Sequence, residues 1–268
     1  MKVALTIGGS DSGGGAGIQA DLHTFAAHGL HGTSALTAIT AQNTQGVLAW
    51  SAIEPALVAA QIDAVASDMA VAAAKTGMLA TVAGIEAVAE AVRRHALRPL
   101  VVDPVMVSRS GDRLLAPLAE RAYLDLIFPL ATVLTPNVLE AELLLGYPVR
   151  DLESMRRAAR DLGAMGPRSV LVKGGGIPGS PVALDVLFDG EGLLELSVPR
   201  LDTPNTHGTG CTLAAAIASR LALGETVPAA VRGAKLYLTE ALRLSCSVGR
   251  GRGCPRPHPA IAPHPLVG

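Results

Sequence analysis

The chain has 268 residues, of which 49% are hydrophobic, 17% charged and 3% aromatic, and its formal net charge is −1. A chain of this length and hydrophobicity buries a large core, which excludes disorder for most of it. Balanced charge and few aromatic side chains argue against nucleic acid as a partner.

The composition also argues against a membrane partner. Asp63, Asp68, Glu86, Glu90 and Arg220 interrupt the alanine-rich segments, so no 18-residue uncharged apolar stretch arises. The first residues enter an apolar strand pattern and show no signal-peptide core, so we expect a cytoplasmic protein. Three cysteines without a CxxC pair indicate neither a disulfide framework nor a structural zinc site.

Short apolar β-rich runs alternate with amphipathic or alanine-rich segments, which predicts an α/β fold with a parallel sheet covered by helices on both faces. In chain order, the predicted strands are 2–8, 33–40, 47–53, 70–76, 99–105, 131–135, 168–173, 182–189 and 192–198. The predicted helices are 16–28, 55–68, 81–95, 114–127, 138–145, 152–164, 209–222 and 227–244. Dense glycine and proline predict an irregular tail over 249–268, after a single domain over 1–248.

Ligands bind at the carboxyl ends of the strands in such sheets, so polar and glycine-rich segments there are candidate sites. The first is GGSDSGGGAG at 8–17, between the first strand and the first helix. Such a loop brings backbone N–H groups close to a ligand, although glycine also marks simple turns. The dinucleotide-binding fingerprint is excluded, because Ile18 stands where its third glycine is required.

The second candidate segment is TAQNTQ at 40–45, which follows the second strand. The amide of Gln42 offers a donor beside an acceptor, which complements the edge of an aminopyrimidine. The alternative is a polar loop that bonds its own backbone.

Oxygen-bearing side chains follow two later strands. Asp103 either belongs to a metal or phosphate site or caps a helix. Asn137 and Glu140 share one face of a helix, a pair that suits hydrated Mg²⁺ but also fits a helix cap with its reciprocal carboxylate.

The most informative segment is NTHGTGCT at 205–212, which precedes an apolar helix. Successive N–H groups at the positive end of that helix predict an anion site. Cys211 lies in the first turn, where the helix dipole lowers a thiol pKa, so it is either a base or nucleophile or a buried structural cysteine. Lys173 ends another strand and brings a cation to the same edge, and Met78 is either pocket wall or core.

Together these segments indicate phosphoryl transfer to a small neutral molecule by a protein without a P-loop motif. Over about residues 1–253 the chain resembles the bacterial hydroxymethylpyrimidine/phosphomethylpyrimidine kinases, which belong to the ribokinase-like superfamily and serve thiamine biosynthesis. The motifs that carry the resemblance are GGSDSGGGAGIQAD at 8–21, AQNT at 41–44, KTGM at 75–78, DPVM at 103–106, TPNVLEA at 135–141 and THGTGCT at 206–212. From Cys254 onward the tail departs from the family's usual ending.

The resemblance implies a three-layer α/β/α sandwich with a mostly parallel central sheet, ATP and Mg²⁺ as cofactors, and often a homodimer. It implies two ATP-dependent steps, in which 4-amino-5-hydroxymethyl-2-methylpyrimidine becomes its monophosphate and the monophosphate becomes the diphosphate.

The resemblance also implies residue roles. Substrate contacts are expected from Gly9, Asp21, Gln42 and Met78, and ATP or phosphate contacts from Asn137, Lys173, Thr206 and His207. Asp103 and Glu140 are expected to bind Mg²⁺ through water. Gly208, Thr209, Gly210 and Lys173 are expected to stabilise the transferring phosphoryl group, with Cys211 as a modest base.

Two alternatives stay open on the sequence. One is a pyridoxal or pyridoxine salvage kinase of the same fold, although Gln42 favours the aminopyrimidine because pyridoxal carries a phenolic oxygen and no amidine-like edge. The other is a non-catalytic precursor-binding protein, against which the joint presence of the polar and glycine motifs argues.

Overall fold

One nine-stranded sheet runs through the residues that the computed structural model describes, which are 1–106, 117–175, 177 and 179–258. The strands are β1 Val3–Asp11, β2 His31–Asn43, β3 Gly46–Ala52, β4 Val71–Thr76, β5 Leu100–Val102, β6 Val133–Leu134, β7 Val170–Lys173, β8 Val182–Phe188 and β9 Leu193–Pro199. The helices are α1 Gly17–Ala27, α2 Pro55–Asp68, α3 Val82–Arg94, α4 Pro117–Ala122, α5 Val138–Leu145, α6 Leu152–Gly163, α7 Thr209–Ala222 and α8 Val227–Arg243. A π-helical turn and a 3-10 turn continue α4 to Leu130, whereas the predicted start of that helix at 114 lies outside the described residues.

The strand order is β3-β2-β1-β4-β5-β6-β7-β8-β9. The six strands from β2 to β7 in this order pair in parallel, and β3, β8 and β9 are antiparallel strands at the two edges. The mostly parallel sheet expected from the alternating pattern is confirmed. Its topology brings the carboxyl ends of the parallel strands to one edge, where the polar segments lie.

Alternate residues of the buried strands pack into two separate cores, which makes the three layers. Leu5 of β1 packs with the side of the sheet that carries α2, α3, α5 and α6, and its neighbour Ala4 packs with α1, α7 and α8. Strands buried on both faces read as continuous apolar runs, which is why periodicity found them. The alanine-rich α7 is buried nearly all round, since small side chains let it fit between the sheet, α1 and α8.

The segment after α8 lies against the carboxyl edge of the sheet without joining it. The amide of Arg252 donates to the carbonyl of Thr44 at 2.9 Å, and the amide of His207 donates to the carbonyl of Gly253 at 3.0 Å. A side chain at Gly251 would place its Cβ 2.0 Å from the carbonyl oxygen of Thr44, so this approach requires glycine. The predicted domain and tail boundary stays a prediction, and 259–268 lies outside the described residues.

Among the described helices, none combines the length and the apolar character needed to cross a membrane.

The core on the α1, α7 and α8 side predicts a sharp difference between two truncations. Phe25→Ala removes a fully buried ring, so the free energy of unfolding should fall by about 3–5 kcal/mol through lost burial and the cavity left behind. Leu236→Ala truncates a side chain that is 59% exposed on α8, and its effect should stay within about 0.5 kcal/mol. Urea unfolding of both variants measures this, and equal losses would contradict the assignment of the core.

Candidate active site

A cleft of about 570 Å³ opens at the carboxyl edge of the sheet. Asp103 after β5, Asn137 after β6, Lys173 at the end of β7 and residues 208–211 at the start of α7 all line it. The structure therefore brings together side chains that the sequence separates by more than one hundred positions, because consecutive parallel strands end at the same edge.

The start of α7 meets the glycine-rich loop through direct backbone contact. Gly208 has φ +75°, and a Cβ there would lie 1.9 Å from the carbonyl oxygen of Gly15. No side chain in the described part of the chain caps this helix, and the first N–H groups of a helix have no acceptor within it. Positive N–H groups at the cleft are what an anion site needs.

Lys173 and Asp103 form an ion pair beside this helix end, with Nζ donating to Oδ1 at 2.9 Å. Burial lowers the pKa of Lys173, but Asp103 and Glu140 raise it by more, so its pKa lies above the ordinary value. A Cβ at Gly210 would lie 3.4 Å from both Lys173 Nζ and Asp103 Oδ2. The lysine is therefore a fixed positive charge next to the first turn of α7.

Asn137 and Glu140 form a helix cap, the alternative left open above. Asn137 Oδ1 accepts from the amides of Leu139 and Glu140 at 2.9 and 3.0 Å, and Glu140 Oε2 accepts from the amide of Asn137 at 2.8 Å. Burial raises the pKa of Glu140, and Asp103 adds to this, while Lys173 and two backbone amides oppose it. Their predicted roles toward ATP and Mg²⁺ stay predictions.

Asp21 belongs to a second ion pair, which is buried. Its Oδ2 accepts from Lys75 Nζ at 2.8 Å and from Thr6 Oγ1 at 2.6 Å, and both charged groups are buried. Burial raises the pKa of Asp21 although Lys75 opposes it, and Asp21 in turn holds the pKa of Lys75 above its usual range despite burial. Asp21 Oδ1 is buried with no hydrogen-bond partner among the described residues. Lys75 was missed as a site residue, although a lysine inside an apolar strand is a usable signal.

The direction predicted for the pKa of Cys211 was wrong. The helix dipole was predicted to lower its pKa, but burial raises the pKa to about 11. Lys75 and the amide of Gly17 favour the thiolate, while Asp21 opposes it. The dipole loses because its effect is at most about 2 kcal/mol, whereas burial of an unpaired charge costs more. The thiol is therefore neutral near pH 7.

Three amides of the glycine-rich loop bind a carboxylate of the chain itself, which agrees with the turn alternative left open above. Asp11 Oδ1 accepts from the amide of Gly13 at 2.8 Å, and Oδ2 accepts from the amides of Gly15 and Ala16 at 3.1 and 2.8 Å. Burial raises the pKa of Asp11, but bonds from His207 and these amides outweigh it, so the pKa lies below the ordinary value. These three amides are not free for a ligand. An Asp followed by glycines is the signal that was missed.

None of the four predicted substrate contacts, Gly9, Asp21, Gln42 and Met78, is among the residues that line the large cleft. A Cβ at Gly9 would lie 3.5 Å from Met78 Sδ, so these two residues are neighbours. The Gln42 amide lies between Thr40 Oγ1 at 3.1 Å and His207 Nε2 at 3.2 Å. Gln42 is thus grouped with His207, which itself lines the cleft together with Thr206 and Thr209.

A third buried ion pair lines the far part of the cleft and was not predicted. Lys235 Nζ donates to Asp185 Oδ2 at 2.5 Å, and Asp185 Oδ1 accepts from the amide of Gly174 at 3.1 Å. Lys235 lies in the middle of α8, and no local pattern marks it as facing a cleft.

The family model for phosphomethylpyrimidine kinase matches residues 11–256. A hydroxymethylpyrimidine/phosphomethylpyrimidine kinase of Synechococcus elongatus is 51% identical over 253 residues, which cover 94% of this chain and 96% of the relative. The ADP complex of Bacillus subtilis pyridoxal kinase superposes with a TM-score of 0.90 at 39% identity, covering 96% of this chain and 97% of that one. A phosphomethylpyrimidine kinase of Clostridium difficile superposes with a TM-score of 0.81 at 41% identity, covering 90% and 99%.

The pKa of Cys211 predicts slow alkylation at neutral pH. In a Cys246→Ser/Cys254→Ser variant only Cys211 remains of the three cysteines, so iodoacetamide reports on this thiol alone. Because the thiolate is the reactive form and the pKa is raised to about 11, the rate should still be rising above pH 10. Circular dichroism checks that the fold persists at each pH. A rate that levels off near pH 8.5, the ordinary thiol value, would contradict the burial argument.

Proposed function

The chain belongs to the phosphomethylpyrimidine kinase family, and on that premise we propose that it transfers phosphate from ATP to 4-amino-5-hydroxymethyl-2-methylpyrimidine and then to the resulting monophosphate, in thiamine biosynthesis. The family resemblance inferred from the motifs is confirmed. One observation carries the proposal beyond the family name: the uncapped start of α7 lies beside the Lys173 cation in the cleft. Fixed positive groups of this kind stabilise a transferring phosphoryl group.

The acceptor hydroxyl is proposed to bind at Asp21. Its Oδ1 is a buried acceptor without a partner in the described part of the chain, an arrangement that costs free energy until a donor arrives. The hydroxymethyl O–H of the substrate supplies that donor, while Lys75 holds the other carboxylate oxygen at 2.8 Å. Gly9, Met78 and Gln42 complete the proposed ring contacts.

The phosphates of ATP are proposed to bind at the start of α7. Gly208, Thr209, Gly210 and Lys173 surround the transferring group, with Asn137 and Thr206 on the same cleft wall. His207 lines the cleft too, but its Nε2 is held by Asp11 at 3.0 Å. Cys211 contributes little as a base, because its thiol is neutral and a loose phosphoryl-transfer transition state needs a proton acceptor only late.

Mg²⁺ fits the oxygen groups at the cleft with few protein ligands. Asp103 and Glu140 are the carboxylates near the phosphate site, and no group of three or more His, Cys, Asp or Glu side chains that could hold a metal exists among the described residues. Both carboxylates already accept hydrogen bonds, so they would hold the ion through its waters, which Mg²⁺ retains readily. When bound, Mg²⁺ neutralises phosphate charge.

The homodimer and the cytoplasmic location are also proposals. The edge strand β3 exposes all of its residues, among them Val47, Leu48 and Trp50. An exposed apolar strand of this kind is what a second copy would cover, which supports the homodimer.

A pyridoxal kinase is the second candidate, since the Bacillus subtilis pyridoxal kinase is 39% identical and superposes closely. The two candidates differ in the ring that receives phosphate, so one assay separates them.

The assay is ³¹P NMR of the purified protein with Mg-ATP and either hydroxymethylpyrimidine or pyridoxal. We expect the pyrimidine monophosphate to appear first and the diphosphate to follow, because the monophosphate is the substrate of the second step. Product from pyridoxal alone would move the assignment to the salvage kinase. A silent spectrum with both compounds would reject a kinase and favour the binding protein.

A second prediction concerns the start of α7. Gly208→Ala forces a Cβ onto the Gly15 carbonyl at 1.9 Å, so the helix start must move and kcat should fall by roughly 100-fold or more, as when a transition-state donor is lost. Gly224→Ala is the matched control, because it also has a positive φ, +99°, yet nothing lies within 4 Å of its Cβ. Its kcat should stay near the wild-type value.

In the same assay, Cys211→Ala tests the thiol. We expect kcat to fall by less than about tenfold, well below the effect of the helix start, because general bases contribute about 100-fold or more where they act fully. Complete loss of turnover with both the alcohol and the monophosphate would show that the thiol is essential.

A further inference from the structure

Two polar groups lie within hydrogen-bond distance of His207 Nε2, and one requires a donor there whereas the other, as an N–H, requires an acceptor. The ring nitrogen lies 3.0 Å from the carboxylate oxygen Oδ2 of Asp11 and 3.2 Å from the amide group of Gln42. A carboxylate accepts only, so this ring nitrogen must carry a proton to bond Asp11. A protonated nitrogen cannot also accept from an N–H of Gln42.

At the other end of the Gln42 amide, the Thr40 hydroxyl also limits which atom of the amide can face it. Its single proton goes to the carbonyl oxygen of Ser10 at 2.8 Å, because that oxygen can only accept. The atom of Gln42 that lies 3.1 Å from Thr40 Oγ1 is Oε1, also an acceptor, so no proton remains for this contact once the hydroxyl bonds Ser10. The structure has Gln42 Oε1 toward Thr40 and Nε2 toward His207. A half-turn of the amide exchanges these two atoms, and only the exchanged orientation, with the oxygen toward His207 and the NH₂ toward Thr40, satisfies both neighbours.

The backbone of Gln42 is held independently of its side chain. Ser12 Oγ donates to the carbonyl of Gln42 at 2.7 Å and accepts from its amide at 2.8 Å. The orientation of the side-chain amide is thus still to be determined, and Thr40 and His207 determine it.

We propose that His207 is a positioning residue for substrate selection: Asp11 keeps the proton on His207 Nε2, and that proton fixes the orientation of the Gln42 amide. This inference rests on the proposed function, because it assigns Gln42 to the aminopyrimidine edge. The fixed amide retains one N–H and one oxygen lone pair. The oxygen, on the His207 side, receives the substrate's exocyclic NH₂, and the N–H, on the Thr40 side, donates to the ring nitrogen. Pyridoxal carries a phenolic hydroxyl in place of the amino group and has no ring nitrogen beside it, so it can form at most one of these two hydrogen bonds.

The inference gives His207 a role different from the phosphate contact expected from the resemblance. A phosphate contact would change the KM for ATP when the ring is removed. A positioning role changes the affinity for the pyrimidine and leaves the KM for ATP unchanged.

The test compares His207→Leu with His207→Gln by titration calorimetry of hydroxymethylpyrimidine and by steady-state kinetics. Leu has no donor, so the Kd for hydroxymethylpyrimidine should rise about five- to tenfold, as for one lost hydrogen bond and a freed side chain. Gln carries an NH₂ that can donate both to Asp11 and to Gln42, so it should recover most of the affinity. The KM for ATP should stay at the wild-type value in both variants.

A double-mutant cycle separates positioning from general damage. In a Gln42→Ala background, His207→Leu should have no further effect on the Kd, because the amide it orients is gone. His31→Leu is the matched control, since His31 is exposed at the opposite end of β2.

Additive effects of the two substitutions, or no recovery with Gln, would overturn the positioning role. A raised KM for ATP with an unchanged Kd for the pyrimidine would restore the phosphate contact. Failure of the proposed function is distinct, because the wild-type protein itself would then neither bind nor phosphorylate hydroxymethylpyrimidine.

Discussion

The Asp11 carboxylate is the interaction on which the geometry of the site depends. It ends β1, gathers three amides of the glycine-rich loop, and bonds His207, the residue just before Gly208. Through these bonds one side chain ties the loop, the start of α7 and, by way of His207, the Gln42 amide. Four charge-assisted donors on one carboxylate also explain why its pKa lies below the ordinary value although it is buried.

Three buried ion pairs extend this arrangement across the edge of the sheet. Lys75 pairs with Asp21, Lys173 with Asp103, and Lys235 with Asp185, each across at least 50 positions of sequence. Burial of a charge costs several kcal/mol unless a partner compensates it, so such pairs contribute little net stability. The ion pairs matter for catalysis instead, because charges that are fixed before a ligand arrives need no reorganisation when phosphate charge develops.

The features predictable from sequence were those set by local periodicity and by short-range capping. Alternating apolar runs located β1 to β9, and the Asn137 and Glu140 spacing allowed for the cap that forms. Properties that depend on residues distant in the chain could not be predicted from the sequence. The dipole at Cys211 is local, but its burial arises from packing, and burial raises the pKa. Likewise, nothing near Lys235 shows that α8 turns it toward Asp185.

The neutral thiol at Cys211 follows from the balance of charge around it. Lys75 favours its thiolate, while Asp21 and Asp103 oppose it, and each of these groups already has its partner in an ion pair. Lys75, the cation that favours the thiolate, is already paired with Asp21, so a further anion would be poorly compensated and the proton stays on sulfur. The cleft therefore keeps the positive groups at the start of α7 uncompensated by a neighbouring thiolate. A phosphate bound there, as proposed, would meet no opposing charge from this thiol.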